Sequence, residues 1–196
     1  MNKLVLVLIV LGLASTKGFS QSFGQKLMKK LEFGIKAGGN YSDFTDASFS
    51  TDPLPGFHAG ATVAYKFTNN FMVQEEFLFS MQGAKVLDGP LGEQDVKLYY
   101  VTVPILLKYR TNFGLYVEAG SQVGIKVKEE VAGFEDTDFA KKIDMGVVGG
   151  IGYQSKIGLG IGARYIYGLQ KVPESTFANI NEFKNNNIQA SIFYVF

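Results

Sequence analysis

Residues 157–169 read Ile-Gly-Leu-Gly-Ile-Gly-Ala-Arg-Tyr-Ile-Tyr-Gly-Leu. In steps of two, Ile157, Leu159, Ile161, Ala163, Tyr165, Tyr167 and Leu169 fall on one face, and Gly158, Gly160, Gly162, Arg164, Ile166 and Gly168 on the other. A period of two over this length is the signature of a β-strand, whose side chains point alternately to opposite faces. One face is apolar throughout. The other is mostly bare glycine with a single charge.

The same period recurs in seven more segments: 32–41, 57–67, 71–81, 98–109, 113–127, 143–153 and 187–196. In the third, Glu75 breaks the apolar face, placed near enough to the strand end for its carboxylate to reach lipid headgroups. In the fourth, Pro104 cannot donate to a ladder, and a bulge is the expected way to accommodate it. The connections alternate as well. Residues 68–70, 111–112 and 154–156 are short turns, whereas 42–55, 84–95, 129–142 and 170–185 are long. Short turns on one side and long loops on the other predict an eight-stranded antiparallel up-and-down transmembrane β-barrel. In an outer membrane the loops are extracellular and both barrel ends periplasmic.

A soluble ligand-binding barrel also alternates, and three features decide against it. The non-apolar faces carry glycine and isolated charges rather than the Thr, Lys and Glu of a solvated face, as suits a narrow interior. Aromatic residues gather at the two ends of the apolar faces: Phe33, Tyr65, Phe67, Phe71, Tyr109, Phe113, Tyr153, Tyr194 and Phe196 near the short turns, and Tyr41, Phe57, Phe79, Tyr99, Tyr165 and Tyr167 toward the long loops. Two such girdles match the two lipid–water interfaces. Third, Ile192, Tyr194 and Phe196 share the apolar face of the last strand and read as an assembly signal for the barrel-assembly machinery during insertion.

The rest of the chain is consistent with export. In residues 1–20, Lys3 gives a positive start, Leu4–Leu13 an apolar core, and Gly18-Phe19-Ser20 before Gln21 a cleavage site, so this segment is expected to be a removed signal peptide. Its apolar stretch is short for a spanning helix, which needs about 20 residues. Residues 21–31 form a short basic periplasmic segment, and 32–196 the barrel. The 196 residues carry a net charge of +1, which gives no electrostatic case for nucleic acid. There is no Cys, so thiol catalysis, zinc–thiolate sites and iron–sulfur clusters have no ligands. No cofactor or metal is expected.

Other candidate chemistry reads as structure. His58, the one histidine, is expected to be a polar lumen residue near the extracellular rim, without a nucleophile and orienting partner for catalysis. Glu129, Glu130, Glu135, Asp136 and Asp138 match no calcium-loop spacing and read as a solvated acidic loop. Lys36, Glu76, Lys108, Glu118, Asp144 and Arg164 fall on inward faces. Charges in a narrow interior are costly unless paired, so all six are expected to form an ion-pair network filling the lumen. Glycines around Arg164 leave its guanidinium space to lie across that lumen.

Several segments carry a resemblance: Gly34-Ile35-Lys36-Ala37-Gly38, Gln74-Glu75-Glu76-Phe77-Leu78-Phe79-Ser80, Val103-Pro104-Ile105-Leu106-Leu107-Lys108-Tyr109, Tyr116-Val117-Glu118-Ala119-Gly120, Asp144-Met145-Gly146 and Arg164-Tyr165-Ile166-Tyr167-Gly168-Leu169. In these the chain resembles the PorT-like outer-membrane β-barrel family of small eight-stranded proteins. The resemblance implies a gram-negative outer membrane and includes the proline of the fourth strand. The expected function is that of a non-enzymatic integral barrel in contact with outer-membrane lipid. Its long loops, with Phe44, Phe49, Phe134, Phe139 and Phe177 among polar residues, would meet an envelope or extracellular protein partner. The alternatives are a small-solute channel and a component of a type IX-like secretion apparatus.

Overall fold

The computed structural model describes residues 28–46, 50–89, 92–131, 140–172 and 183–196. The chain divides into two units, 1–31 and 32–196, and the fold is that of the second. The signal peptide, most of the basic segment, Phe49, Phe134, Phe139, Phe177, Glu135, Asp136 and Asp138 lie outside the described residues.

Eight strands, β1 (Leu31–Thr45), β2 (Thr51–Lys66), β3 (Phe71–Gly89), β4 (Gly92–Arg110), β5 (Leu115–Val131), β6 (Ile143–Gln154), β7 (Leu159–Gly168) and β8 (Lys184–Val195), form an all-antiparallel sheet in chain order. The sheet closes on itself, with β8 returning to β1 through a register that pairs Ile35 with Tyr194 and Lys36 with Phe193. Alternation decides which way each strand faces. The apolar set points outward and stays exposed, as Ile161, Ile192 and Val117 illustrate. The polar and glycine set points into the barrel, where Glu76, Ser80, Leu78 and Leu106 are wholly covered. This is a membrane barrel's inversion of the usual rule, with lipid taking the place of a protein core. The aromatic rows face outward too: the Phe71 ring lies tilted 4.8 Å from Tyr109 at the short-turn end, and Phe79 stacks at 6.0 Å from Tyr99 toward the long loops.

Several expectations need correction, among them the long connection 42–55, most of which is strand because β1 reaches Thr45 and β2 begins at Thr51. The stretch 84–95 is not a long loop: β3 and β4 run on until Gly89 pairs with Gly92, forming a projecting hairpin. Above the lipid neither face needs to be apolar, so the alternation ends while backbone pairing continues; the exposed Lys85–Glu93 ion pair lies there. Pro104 occupies no bulge. Its register with β5 is regular, and the β4–β5 shift falls between Tyr99 and Tyr100 instead. Toward β3 the pairs jump from Glu75–Ile105 to Leu78–Thr102 with register unchanged, so the proline is tolerated as a gap where its missing N–H would have bonded. Phe44 is not an exposed loop residue. It lies one residue before the end of β1, buried against Phe183 at 4.5 Å.

A closed ladder satisfies every strand internally and resists detergent. The purified protein should therefore run faster on a gel unheated than boiled, with β-type circular dichroism in detergent. A mainly helical spectrum would contradict the fold.

Candidate functional site

Inward positions of five strands fall in one register row of the wall. Lys108 on β4, Glu118 on β5, Gly150 on β6, Arg164 on β7 and Gln189 on β8 are successive register partners, forming a row around one side of the wall. Glu76 reaches this row from β3 and Lys36 from β1. The Arg164 guanidinium donates to both oxygens of Glu76 (Nη1 to Oε2 and Nη2 to Oε1, each 2.9 Å), and its Nη2 lies 2.8 Å from Glu118 Oε1. Lys36 Nζ donates to Glu76 Oε1 at 2.9 Å, as does Gln74 Nε2 at 2.6 Å. Glu76 is 0% exposed and Arg164 4%. The planar guanidinium fork is what lets one residue serve two carboxylates at once.

Three cations here face two carboxylates. The third, Lys108, stands 3.9 Å from Glu118 Oε2 and donates to Gln74 Oε1 at 3.3 Å. Its ammonium lies 3.7 Å from the centre of the Tyr116 ring and 5.1 Å from that of Phe193. Two aromatic faces thus take up a charge for which no second close carboxylate is present. Asp144 does not join the cluster: it pairs with Gly124, three inward positions along β6 from Gly150. Among the described residues no ion pair or hydrogen bond links it to the other five. Shared facing was legible in the sequence; height along the barrel was not.

The glycines have a different use from the one expected. A Cβ at Gly160 would lie 2.3 Å from Phe193 Cζ, and one at Gly162 2.2 Å from the Tyr116 hydroxyl. These glycines make room for two inward rings rather than for the guanidinium; at Gly150 an added Cβ would lie 2.9 Å from the Cβ of Arg164. Tyr116 and Phe193 were visible as large aromatics on inward faces opposite runs of glycine.

Above the ions lies a neutral polar layer, and above that an apolar one. His58 pairs with Ser80, level with the aromatic row toward the long loops, and β2 runs seven residues beyond it to Thr51. Its Nδ1 and Asn40 Oδ1 are 2.7 Å apart, and its Nε2 and Ser191 Oγ 2.8 Å. Asn40 Oδ1 can only accept, so Nδ1 carries the proton and Nε2 accepts from Ser191. The order serine–histidine–amide is that of a nucleophile, base and orienter, partners that sequence spacing did not reveal. Yet His58 is 1% exposed, and a Cβ on Gly38 would lie 2.7 Å from its ring. Asn40 Nδ2 is spent on Phe57 O, Ser80 Oγ and Met81 O. Both ring nitrogens of His58 are thus held by neighbouring side chains. Higher still, Phe44, Ala84, Val96, Leu98, Tyr100, Ala140, Val172 and Phe183 pack into one buried apolar cluster across the long-loop end.

At the short-turn end Glu32 accepts from Arg110 Nη1 (3.1 Å) and Nη2 (2.9 Å), with Lys66 at 3.1 Å. Two members of the acidic stretch are likewise engaged: Glu129 by Lys126 at 2.6 Å, and Glu130 by Lys128 and Tyr99. No group of His, Asp and Glu that could hold a metal is found among the described residues.

The family model described as outer membrane protein beta-barrel domain matches residues 19–173. Solved structures share the fold at low identity. Neisserial surface protein A is 20% identical with a TM-score of 0.55, covering 84% of this chain and 97% of its own. The attachment invasion locus protein Ail of Yersinia pestis is 18% identical, TM-score 0.51, covering 84% and 98%. The outer membrane protein OprG of Pseudomonas aeruginosa is 17% identical, TM-score 0.50, covering 84% and 95%. No curated protein matches the chain.

Proposed function

The chain belongs to the outer membrane protein beta-barrel domain family, and we propose that within it this protein is a closed, non-catalytic barrel acting through its long-loop end. It is an integral outer-membrane protein, surrounded by lipid. The observation that carries the proposal is the filling of the lumen: a bidentate Arg164–Glu76 pair with Lys36 and Glu118, beneath an apolar seal of Phe44, Leu98, Tyr100 and Phe183. Buried paired charges act as a plug, since an eight-stranded interior is just wide enough for side chains. The five-residue cluster is then a structural device, and recognition falls to the projecting β3–β4 hairpin and its neighbouring loops. That end is extracellular and the turns periplasmic in this reading. Residues 1–20 are a cleaved leader, 21–31 a periplasmic segment, and Ile192, Tyr194 and Phe196 the signal read by the barrel-assembly machinery. A surface role suits a fold shared with a surface protein and an attachment and invasion protein. Within the family, the segments around Lys36, Pro104 and Arg164 favour a PorT-like subgroup, with an envelope protein as partner.

Planar-bilayer recording tests the plug. The pure protein should give no stable conductance steps at any voltage that leaves the membrane intact. Large, long-lived steps would overturn the proposal in favour of solute transport. Surface contact is tested separately by crosslinking in native envelopes with and without residues 86–93, whose removal should abolish a specific adduct while leaving heat-modifiable mobility intact.

A further inference from the structure

Between the two aromatic rows, the outward face of the described strands carries one charged side chain, Glu75 on β3. It pairs with Val63 on one side and Ile105 on the other. Among the described residues it has no ion-pair or hydrogen-bond partner. On its own strand Phe71 marks one row and Phe79 the other, each paired by its ring with a tyrosine of β4. Glu75 stands four residues from each, so it lies at mid-height, not near the strand end where its position along the chain had suggested. Four residues span about 13 Å of strand, or about 10 Å of depth at the usual tilt. That exceeds the reach of a glutamate side chain, so headgroup cations are too far away. An ionisable group facing hydrocarbon is costly without a partner and marks a site by default.

We propose that the β2–β3 face is a self-association surface, on which Glu75 of two copies hydrogen-bond across a two-fold axis along the membrane normal. Hydrogen bonding selects this occupant. Between the aromatic rows, the described outward side chains include no Lys or Arg, so no ion pair is on offer from the chain's own kind. A neutral carboxyl, however, both donates and accepts, and its complement is a second carboxyl at the same depth. Shape agrees. Ala59 and Ala61 on β2 form a trough beside the ridge of Phe79 and Phe77 on β3, in register pairs Ala59–Phe79 and Ala61–Phe77. Ridge and trough lie at equal height, so an axis between the two strands sets each ridge of one copy into the trough of the other, as an isologous interface requires. Small residues permit the close backbone approach on which association in lipid depends.

The test uses full-length protein in phosphatidylcholine vesicles, with stoichiometry read by single-molecule photobleaching over a range of protein densities. Wild type should be dimeric. Glu75→Leu should weaken association about tenfold, whereas Glu75→Gln should retain it, because the amide also donates and accepts. Ala61→Phe, which fills the trough, should give monomers. Each variant's urea midpoint and heat-modifiable mobility report that the barrel itself is folded. The chain has no native Cys, so Val63→Cys should crosslink to itself and Ile151→Cys, on β6, should not. A wild type monomeric at every density, equal crosslinking at the two positions, or undiminished association of Glu75→Leu would overturn the proposal. Loss of association in Glu75→Gln would overturn it too, by showing that a side chain able to donate and accept at this position does not hold the copies together.

Discussion

Arg164→Ala is expected to unfold in lipid vesicles at a markedly lower urea concentration than wild type. The guanidinium makes two hydrogen bonds to Glu76 and lies 2.8 Å from Glu118, all three side chains being nearly inaccessible. Its removal leaves Glu118 with Lys108 at 3.9 Å as its nearest cation, and Glu76 with Lys36 alone. Breaking a buried pair by deleting one partner costs about 3–5 kcal/mol, because the remaining charge keeps its desolvation penalty without its compensation. Arg164→Lys should restore only part of this, since a point charge cannot bridge two carboxylates in the plane of a fork. Arg164→Ala combined with Glu76→Gln should cost less than the two changes added, as expected for groups in direct contact. A midpoint and slope unchanged in Arg164→Ala would show that the cluster does not hold the barrel together.

The second large effect concerns glycines whose contacts look alike and whose rescue should differ. At Gly120 a Cβ would fall 2.0 Å from the carbonyl oxygen of Ile105 and 2.9 Å from Leu106 Cα, both backbone atoms of the next strand. At Gly162 the obstacle is the Tyr116 hydroxyl at 2.2 Å, the next atom being 3.4 Å away. Both alanine substitutions should destabilise, by about 3 kcal/mol at Gly120 and about 1–2 kcal/mol at Gly162, as overpacking in a filled interior does. Tyr116→Phe should restore most of the stability of Gly162→Ala, because it removes the obstructing atom. Leu106→Ala should restore nothing to Gly120→Ala, because a strand's backbone cannot be trimmed away. Urea midpoints of the four single and two double variants decide it; rescue at Gly120 would mean that side-chain crowding, not strand approach, is what the glycine relieves.

The barrel was legible in the sequence because lipid imposes an unusually strict demand: every second side chain on eight strands must be apolar, and a period of two then stands out in segments such as 157–169. The demand stops at the membrane surface, which is why β3 and β4 outrun their expected ends by several residues. Facing was legible for the same reason, and Lys36, Glu76, Lys108, Glu118 and Arg164 were placed on the inside from alternation alone. Which of them touch depends on register and tilt, quantities that a single strand does not encode. Asp144 shares the inward face of Gly150 yet pairs at the level of Gly124, out of Arg164's row. The bond from Lys108 to the ring of Tyr116 was hidden because neither residue is unusual until a closed wall brings them to 3.7 Å.

The ion cluster also constrains when the barrel can form. Its members come from β1, β3, β4, β5 and β7, and Arg164 meets Glu76 at a separation of 88 positions along the chain. Of the ion pairs in the cluster, only the loose approach of Lys108 to Glu118 joins neighbouring strands. A sheet still open in the bilayer would turn Lys36, Glu76 and Arg164 toward hydrocarbon, each at a cost of several kcal/mol. Insertion, curling and the meeting of β8 with β1 are therefore coupled into one cooperative step. A partly threaded chain has no resting place in the membrane, and the same five residues that fill the finished lumen make assembly all-or-none.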